Sequence, residues 1–265
     1  MQLGLESRVA LITGANRGTG AVIARMLAAE GARVIVHGFS EAEARDAADA
    51  IGALHVAGDI VDEAAAAQVA HAALAMHGRV DVLVNNYGTI SPGKWQDAVD
   101  AAWLDIYRRN VLSAVHMIRA IVPSMRAHAP NPSGRIINLG TVGTLRPNSL
   151  MPHYYAAKAA LANTTVSLAR ELAGTGITVN TVAPGFIRTA EVEAFYTEKA
   201  RRKGLPTDWP SVEKMVVERE FPNPCGRIAT PEDVAMLVCF LAGDSGAFIN
   251  GQHLRVDGGA LETLF

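Results

Sequence analysis

The chain has 265 residues, 49% hydrophobic and 19% charged, with a mean hydropathy of +0.16. This composition excludes a disordered chain, and charged or His residues break every apolar run short of the roughly 20 residues of a membrane span. A formal net charge of −2 with no basic block excludes the clustered Lys and Arg that nucleic-acid binding needs.

Val9-Ala10-Leu11-Ile12-Thr13 is a continuous apolar run, as expected of a strand buried on both faces. A Gly-rich turn follows, then a helix over Ala21 to Glu30 that Gly31 stops. Arg33 to Val36 reads as a strand, Glu41 to Ile51 as a helix, and Leu54 to Val56 as a short strand. Asp62 to His77 reads as a helix with Asp62 at its start and Gly78 at its end, the usual polarity of end signals. Val80 to Val84 is a strand, Ala101 to His128 one long helix, and Arg135 to Leu139 a strand. Tyr154 to Ala173 is a helix closed by Gly174, and Ile177 to Val182 a strand. Pro231 to Leu241 is a helix with Pro in its first turn, and His253 to Val256 a last strand.

Seven strands in repeated β-α-β units imply an α/β fold, a parallel sheet covered by helices on both faces. With no internal repeat or low-complexity linker, residues 1–265 read as one domain. Ala190 to Glu220 holds 13 of the 50 charged residues and interrupts the β-α rhythm. It reads as a solvated helical excursion rather than core, and a segment of about 190–224 at the strand ends is placed to be a substrate lid. Cys225 and Cys239 form no CxxC pair and read as two packed thiols of a reducing compartment. Met1 to Arg8 lacks the basic and apolar regions of a signal peptide, so the expectation is a cytoplasmic protein.

Three motifs carry chemistry. The first β-α turn is Thr13-Gly14-Ala15-Asn16-Arg17-Gly18-Thr19-Gly20. Its glycines allow a tight turn and close approach to a pyrophosphate, which the following helix N-terminus attracts. In Tyr154-Tyr155-Ala156-Ala157-Lys158, Tyr154 and Lys158 are four apart and share a helix face. A nearby ammonium favours the phenolate, so the pair can exchange a proton with an alcohol or carbonyl oxygen. Tyr155 is less suitable, because its own i+4 residue is Ala159. Thr141 ends a strand at the mouth of the sheet, where its hydroxyl can donate to a substrate oxygen.

These motifs, with Asn85-Asn86-Tyr87-Gly88, Asn110, Pro184-Gly185, Gly226-Arg227-Ile228 and Val256-Asp257-Gly258-Gly259, resemble the short-chain dehydrogenase/reductase family over nearly the whole chain. The fit is to the single-domain branch that includes 3-oxoacyl-thioester reductases. The four-residue Tyr–Lys spacing differs from the enoyl-reductase branch, where seven after Tyr154 would fall on Leu161. The resemblance implies a Rossmann-like doubly wound fold and a reversible hydride transfer between a nicotinamide and a carbonyl or secondary alcohol. It assigns Tyr154 as general acid or base and Lys158 as the group that lowers its pKa and bonds the nicotinamide ribose. Thr141 would orient the substrate oxygen, and Asn110 would hold a water linking Lys158 to solvent. Two departures stand out: Thr141 replaces the usual Ser, and Tyr87 replaces the Ala of Asn-Asn-Ala-Gly.

The same resemblance assigns cofactor contacts to Gly14, Asn16, Arg17, Gly18, Thr19, Gly20, Ser40, Asp59, Ile60, Asn86, Gly88, Tyr154, Lys158, Pro184, Gly185, Ile187 and Thr189. No carboxylate stands in Val36-His37-Gly38-Phe39-Ser40 to bond a ribose 2′-hydroxyl. With Arg17 in the glycine turn, where relatives use a basic residue for a 2′-phosphate, and Ser40 able to add a hydroxyl donor, NADP(H) is preferred over NAD(H). The eight His have no metal-ligand spacing, and no metal is expected. The other readings are an NAD-dependent alcohol dehydrogenase of the same family and a catalytically silent dinucleotide-binding sensor or scaffold. The family pattern implies a homotetramer, built through the helices around Asn110 and Tyr154 and through the last helix and strand.

Overall fold

The apolar run of the first segment forms strand β1 (Val9–Ile12), and all four residues are buried. In the computed structural model, which describes residues 3–129 and 134–262, six more strands follow it. They are β2 (Arg33–Gly38), β3 (Leu54–Ala57), β4 (Val82–Asn85), β5 (Arg135–Leu139), β6 (Thr178–Pro184) and β7 (His253–Val256). Residues 1–2, 130–133 and 263–265 of the expected 1–265 domain lie outside the described residues.

The strands form one sheet in the order β3-β2-β1-β4-β5-β6-β7, parallel throughout. The chain builds from β1 out to β3, then returns to lay β4 on the other side of β1. That reversal opens a crevice at the C-terminal ends of β1 and β4, where doubly wound sheets hold ligands.

Nine helices connect the strands among the described residues: α1 (Gly18–Ala29), α2 (Glu41–Asp49), α3 (Glu63–His77), α4 (Asp100–Tyr107), α5 (Ser113–His128), α6 (Pro152–Glu171), α7 (Ala190–Arg202), α8 (Trp209–Arg219) and α9 (Pro231–Ala242). Strand side chains alternate between two faces. Ala10 and Ile12 pack with Ile23 and Leu27 of α1 and Val234 and Val238 of α9. Val9 and Leu11 pack with Val69 of α3, Met117 and Ile121 of α5, and Leu172 just past α6. The expected α/β architecture with helices on both faces is the one observed.

The helix ends follow local chemistry. The Asp62 carboxylate accepts from the Ala65 N–H, and Gly78 ends α3 at a φ of 73°. Thr230 and Asp233 make a reciprocal capping box at the start of α9, with Pro231 in its first turn.

Three expectations need correction. The single helix over 101–128 is divided by a π-helical turn at Arg108–Leu112. There Asn110 Nδ2 donates to the Ile106 carbonyl at 3.0 Å and Ser113 Oγ to the Arg109 carbonyl at 2.7 Å. These side chains engage carbonyls four residues back, where the ladder is widened. The charged 190–220 segment is more than a solvated excursion. Its α7 and α8 enclose a small core of Tyr196, Ala200, Val212 and Val216, completed by Ile228. Of the two cysteines only Cys239 is packed, and Cys225 is exposed. No described helix is long and apolar enough to cross a membrane.

Candidate active site

Helix α6 carries Tyr154 and Lys158 one turn apart. Lys158 is buried, and its Nζ donates to the Leu139 carbonyl at the end of β5, 2.8 Å away. That bond ties the helix to the strand that leads into Thr141. The Tyr154 ring packs beside a cluster of Ile106, Val111, Ala114, Ala157 and Leu161. Burial pushes the Tyr154 phenol above its ordinary range and pushes the Lys158 ammonium down to about 8. The expected lowering of the Tyr154 pKa by Lys158 is therefore not the net direction. Desolvation of the phenol dominates, and the neighbouring Tyr155 adds to it.

Thr141 begins the 3-10 turn Val142–Thr144, and its Oγ1 accepts from the Gly143 N–H at 3.1 Å. With its oxygen so engaged, the hydroxyl keeps its hydrogen for an outside acceptor. Gly143 lies flat on the Tyr155 ring, where a Cβ would overlap ring carbons. The Thr141 turn is thus pressed against α6 beside Tyr154.

Asn110 is 1% exposed. Its Nδ2 is satisfied by the Thr89 carbonyl at 2.9 Å and by Ile106, while its Oδ1 has no protein partner. Gly88 brings Asn110 and Lys158 together. A Cβ added there would stand 2.5 Å from Asn110 Oδ1 and 3.0 Å from Lys158 Nζ. An orphaned buried acceptor beside a buried ammonium is a site for a hydrogen-bonding guest, such as a water or a ribose hydroxyl.

The glycine turn offers a cradle for a pyrophosphate. Gly14 and Gly18 take positive φ values of 61° and 57°. Gly20 is packed so closely that a Cβ would meet Asn86 Nδ2 at 2.5 Å and the Gly14 carbonyl at 2.6 Å. Asn86 Nδ2 braces the turn by donating to the Thr13 and Gly14 carbonyls at 2.9 and 3.0 Å. The Arg17 side chain makes no cap at the start of α1, and a Cβ added at Gly18 would meet nothing within 4 Å, so no side chain caps the first-turn N–H groups. Space, donors and dipole fit a dinucleotide phosphate.

The remaining expected contacts lie on segments at the C-terminal ends of β1, β2, β3 and β6. Ser40 precedes α2 with no capping bond from its hydroxyl. Asp59 accepts from the Val61 N–H at 2.8 Å, and Ile60 is buried. Asn16 is turned toward Glu43, 3.2 Å away. Pro184 ends β6, and Gly185 donates to the Val256 carbonyl at 2.9 Å. Ile187 bridges to Ala229. Thr189 caps α7 by accepting from the Val192 N–H at 3.3 Å.

Sequence reasoning missed three partners. Arg17 pairs across the crevice with Glu191 of α7 at 3.6 Å, both side chains largely exposed. The Glu191 carboxyl is held below the usual range by its own backbone N–H, the Thr189 hydroxyl and Arg17. The Tyr87 and Phe39 ring centroids lie 4.7 Å apart, and Arg109, whose charge acts on the Tyr87 phenol, is held by Asp105 at 2.8 and 2.9 Å. His153, one residue before Tyr154, is buried beside Trp103 with neither ring nitrogen partnered. A charge at position 191, or an imidazole at 153, carries no local pattern that announces these contacts.

Residues 14–260 match a family model described as Enoyl-(Acyl carrier protein) reductase. The 3-oxoacyl-[acyl-carrier-protein] reductase FabG of Escherichia coli (strain K12) is 37% identical over 259 residues, covering 97% of this chain and 98% of that protein. FabG of Vibrio cholerae serotype O1 is 35% identical with the same coverage. The crystal structure of L-sorbose reductase from Gluconobacter frateurii, complexed with NADPH and L-sorbose, matches with a TM-score of 0.92 at 31% identity, covering all of both chains. The fold, the crevice and these matches together make the chain a member of the short-chain dehydrogenase/reductase family of oxidoreductases.

Proposed function

We propose that the protein is an NADP(H)-dependent oxidoreductase that interconverts a carbonyl compound and a secondary alcohol. The observation that carries this reading is the Lys158 Nζ bond to the Leu139 carbonyl, which ties the helix of Tyr154 to the strand that leads into Thr141. The relatives named for NADPH, L-sorbose and 3-oxoacyl chemistry support a ketone substrate. The glycine turn, Ser40 and Arg17, with no carboxylate at the end of β2, support NADP(H).

NADPH, when bound, would supply a hydride (one proton with two electrons) to the carbonyl carbon. The protein's work is at the oxygen. Thr141 Oγ1, fixed by Gly143, donates a hydrogen bond that polarises the carbonyl and orients it. Tyr154 delivers its phenolic proton to the same oxygen, giving the alcohol. With its phenol pushed upward by burial, Tyr154 enters the reaction protonated at neutral pH. Lys158 faces the vacated phenolate with a compensating charge. Asn110 Oδ1 holds a hydrogen-bonding guest beside Lys158, through which the proton is replaced. The hairpin of α7 and α8 serves as the substrate lid over about 190–224, and 1–265 acts as one domain.

The test is the absorbance of the reduced nicotinamide, followed with a panel of ketoses, 3-oxoacyl thioesters and simple ketones, each with NADPH and NADH. Carbonyl-dependent loss of NADPH, faster than that of NADH, is expected. No loss with any carbonyl, beside tight NADPH binding, would favour a silent dinucleotide sensor instead.

A further inference from the structure

His37 lies in β2, fully buried, and joins the two loops that follow β1 and β3. Its Nδ1 accepts from the Gly14 N–H at 3.1 Å. A backbone N–H can only donate, so Nδ1 carries the lone pair and Nε2 carries the proton. Nε2 then donates to the Gly58 carbonyl, also at 3.1 Å. The two bonds fix the tautomer. The backbone runs parallel to them: the Ala15 N–H donates to the His37 carbonyl at 2.8 Å and the Gly58 N–H to the Gly38 carbonyl at 3.1 Å.

On the NADP(H) reading, the loops so joined hold the adenosine half of the dinucleotide. Gly14 opens the phosphate turn, and Gly58 leads directly into Asp59 and Ile60. Phe39, one residue past β2, sets its ring 5.6 Å from the imidazole. Burial holds the ring neutral, with a pKa down to about 4, although the Gly58 bond and Asp59 both pull upward. The acceptor at Nδ1 is therefore present at any pH near neutrality. A carbon ring of the same size would leave the Gly14 N–H and the Gly58 carbonyl without these partners.

We infer that His37 is a positioning residue for the adenosine half of the dinucleotide, locking the glycine turn to the end of β3 at the spacing the ligand requires. It acts through Gly14 and Gly58, and preorganised loops bind with less ordering cost. The inference rests on the NADP(H) reading above.

The test is calorimetric titration with adenosine 2′,5′-bisphosphate, which carries no nicotinamide, alongside kcat and KM for NADPH. His37→Phe keeps the ring volume and removes both bonds. His37→Gln offers an amide oxygen to Gly14 and an amide hydrogen to Gly58. The Phe variant should bind the bisphosphate about tenfold or more weakly and raise the KM for NADPH, with kcat at saturating cofactor kept within about twofold. The Gln variant should recover most of the affinity. If the Phe variant fails to fold, His37→Asn, too short to span both partners, should show the loss. Wild-type affinity in the Phe or Asn variant overturns the inference and leaves the NADP(H) reading standing. A fall in kcat equal to the fall in affinity, with no recovery by Gln, also overturns it, since that is general damage. Failure of the wild type to bind the bisphosphate overturns both.

Discussion

Lys158 Nζ stands 2.8 Å from the carbonyl oxygen of Leu139, two residues before Thr141. One bond therefore sets the relation between the helix that holds the proton donor and the strand that ends at the oxygen-binding hydroxyl. The cost is a buried ammonium. Burial lowers its pKa from 10.5 to about 8, so the unfolded chain binds the proton more tightly. The penalty on folding is complete below about pH 8 and fades as pH rises toward 10.5.

Lys158→Met should therefore lose turnover without losing stability. At pH 7 the melting temperature should equal or exceed that of the wild type, and the difference should shrink toward pH 10. The wild-type kcat/KM for carbonyl reduction, which reports the free enzyme, should fall as pH rises through about 8. A melting temperature several degrees lower at pH 7 would show that the Leu139 bond outweighs the buried charge.

Thr141→Ser should stay active, because Ser keeps both the acceptor for Gly143 and the outward hydrogen. Thr141→Ala should lower kcat by about 10²-fold, the scale of one oxyanion-type donor. Steady-state kinetics at saturating NADPH reads this, and an unaffected alanine variant would mean the hydroxyl is not used.

Arg17 is shared between two anions, Glu191 in the structure and the 2′-phosphate in the proposal. Glu191→Gln should tighten NADPH binding, and Arg17→Ala should weaken NADPH about tenfold while leaving NADH little changed. The effects should shrink in high salt, because both side chains are exposed. A carboxylate to shift preference toward NADH belongs at position 39, since a Cβ at Gly38 would crowd Ala44 Cβ at 3.1 Å. Fluorescence titration of each variant with both cofactors measures this. Equal losses for the two cofactors in Arg17→Ala would place the arginine on their common pyrophosphate.

The legible parts of this molecule are those where one short segment dictates its own shape. Val9 to Ile12 could only be an interior strand, Gly14 and Gly18 needed positive φ, and Tyr154 and Lys158 had to share a face. What stayed hidden depends on partners distant in sequence. Asn110 lies in a π-helical turn that no periodicity signals, because its own side chain occupies the Ile106 carbonyl. His37 gains its meaning from Gly14 and Gly58, and Glu191 from Arg17. The sign of the Tyr154 shift needed its burial, which a four-residue spacing does not contain.

Self-association should follow from the apolar surface left by these helices. Leu104 and Tyr107 of α4, Val166 of α6, Met236 of α9 and the fully exposed Phe248 all face outward. We expect a homotetramer, formed through the α4–α6 region and through the α9–β7 end. Light scattering at micromolar concentration reads the mass, and a single species of 28.0 kDa would refute it.

The most direct measurement is Tyr154→Phe, followed both by carbonyl-dependent NADPH oxidation and by NADPH titration. The change removes one oxygen from the site and leaves the glycine turn untouched. Turnover should fall by about 10²–10⁴-fold, the contribution of a positioned proton donor, while the dissociation constant for NADPH stays within about threefold. A variant that turns over near the wild-type rate would contradict Tyr154 as the proton donor.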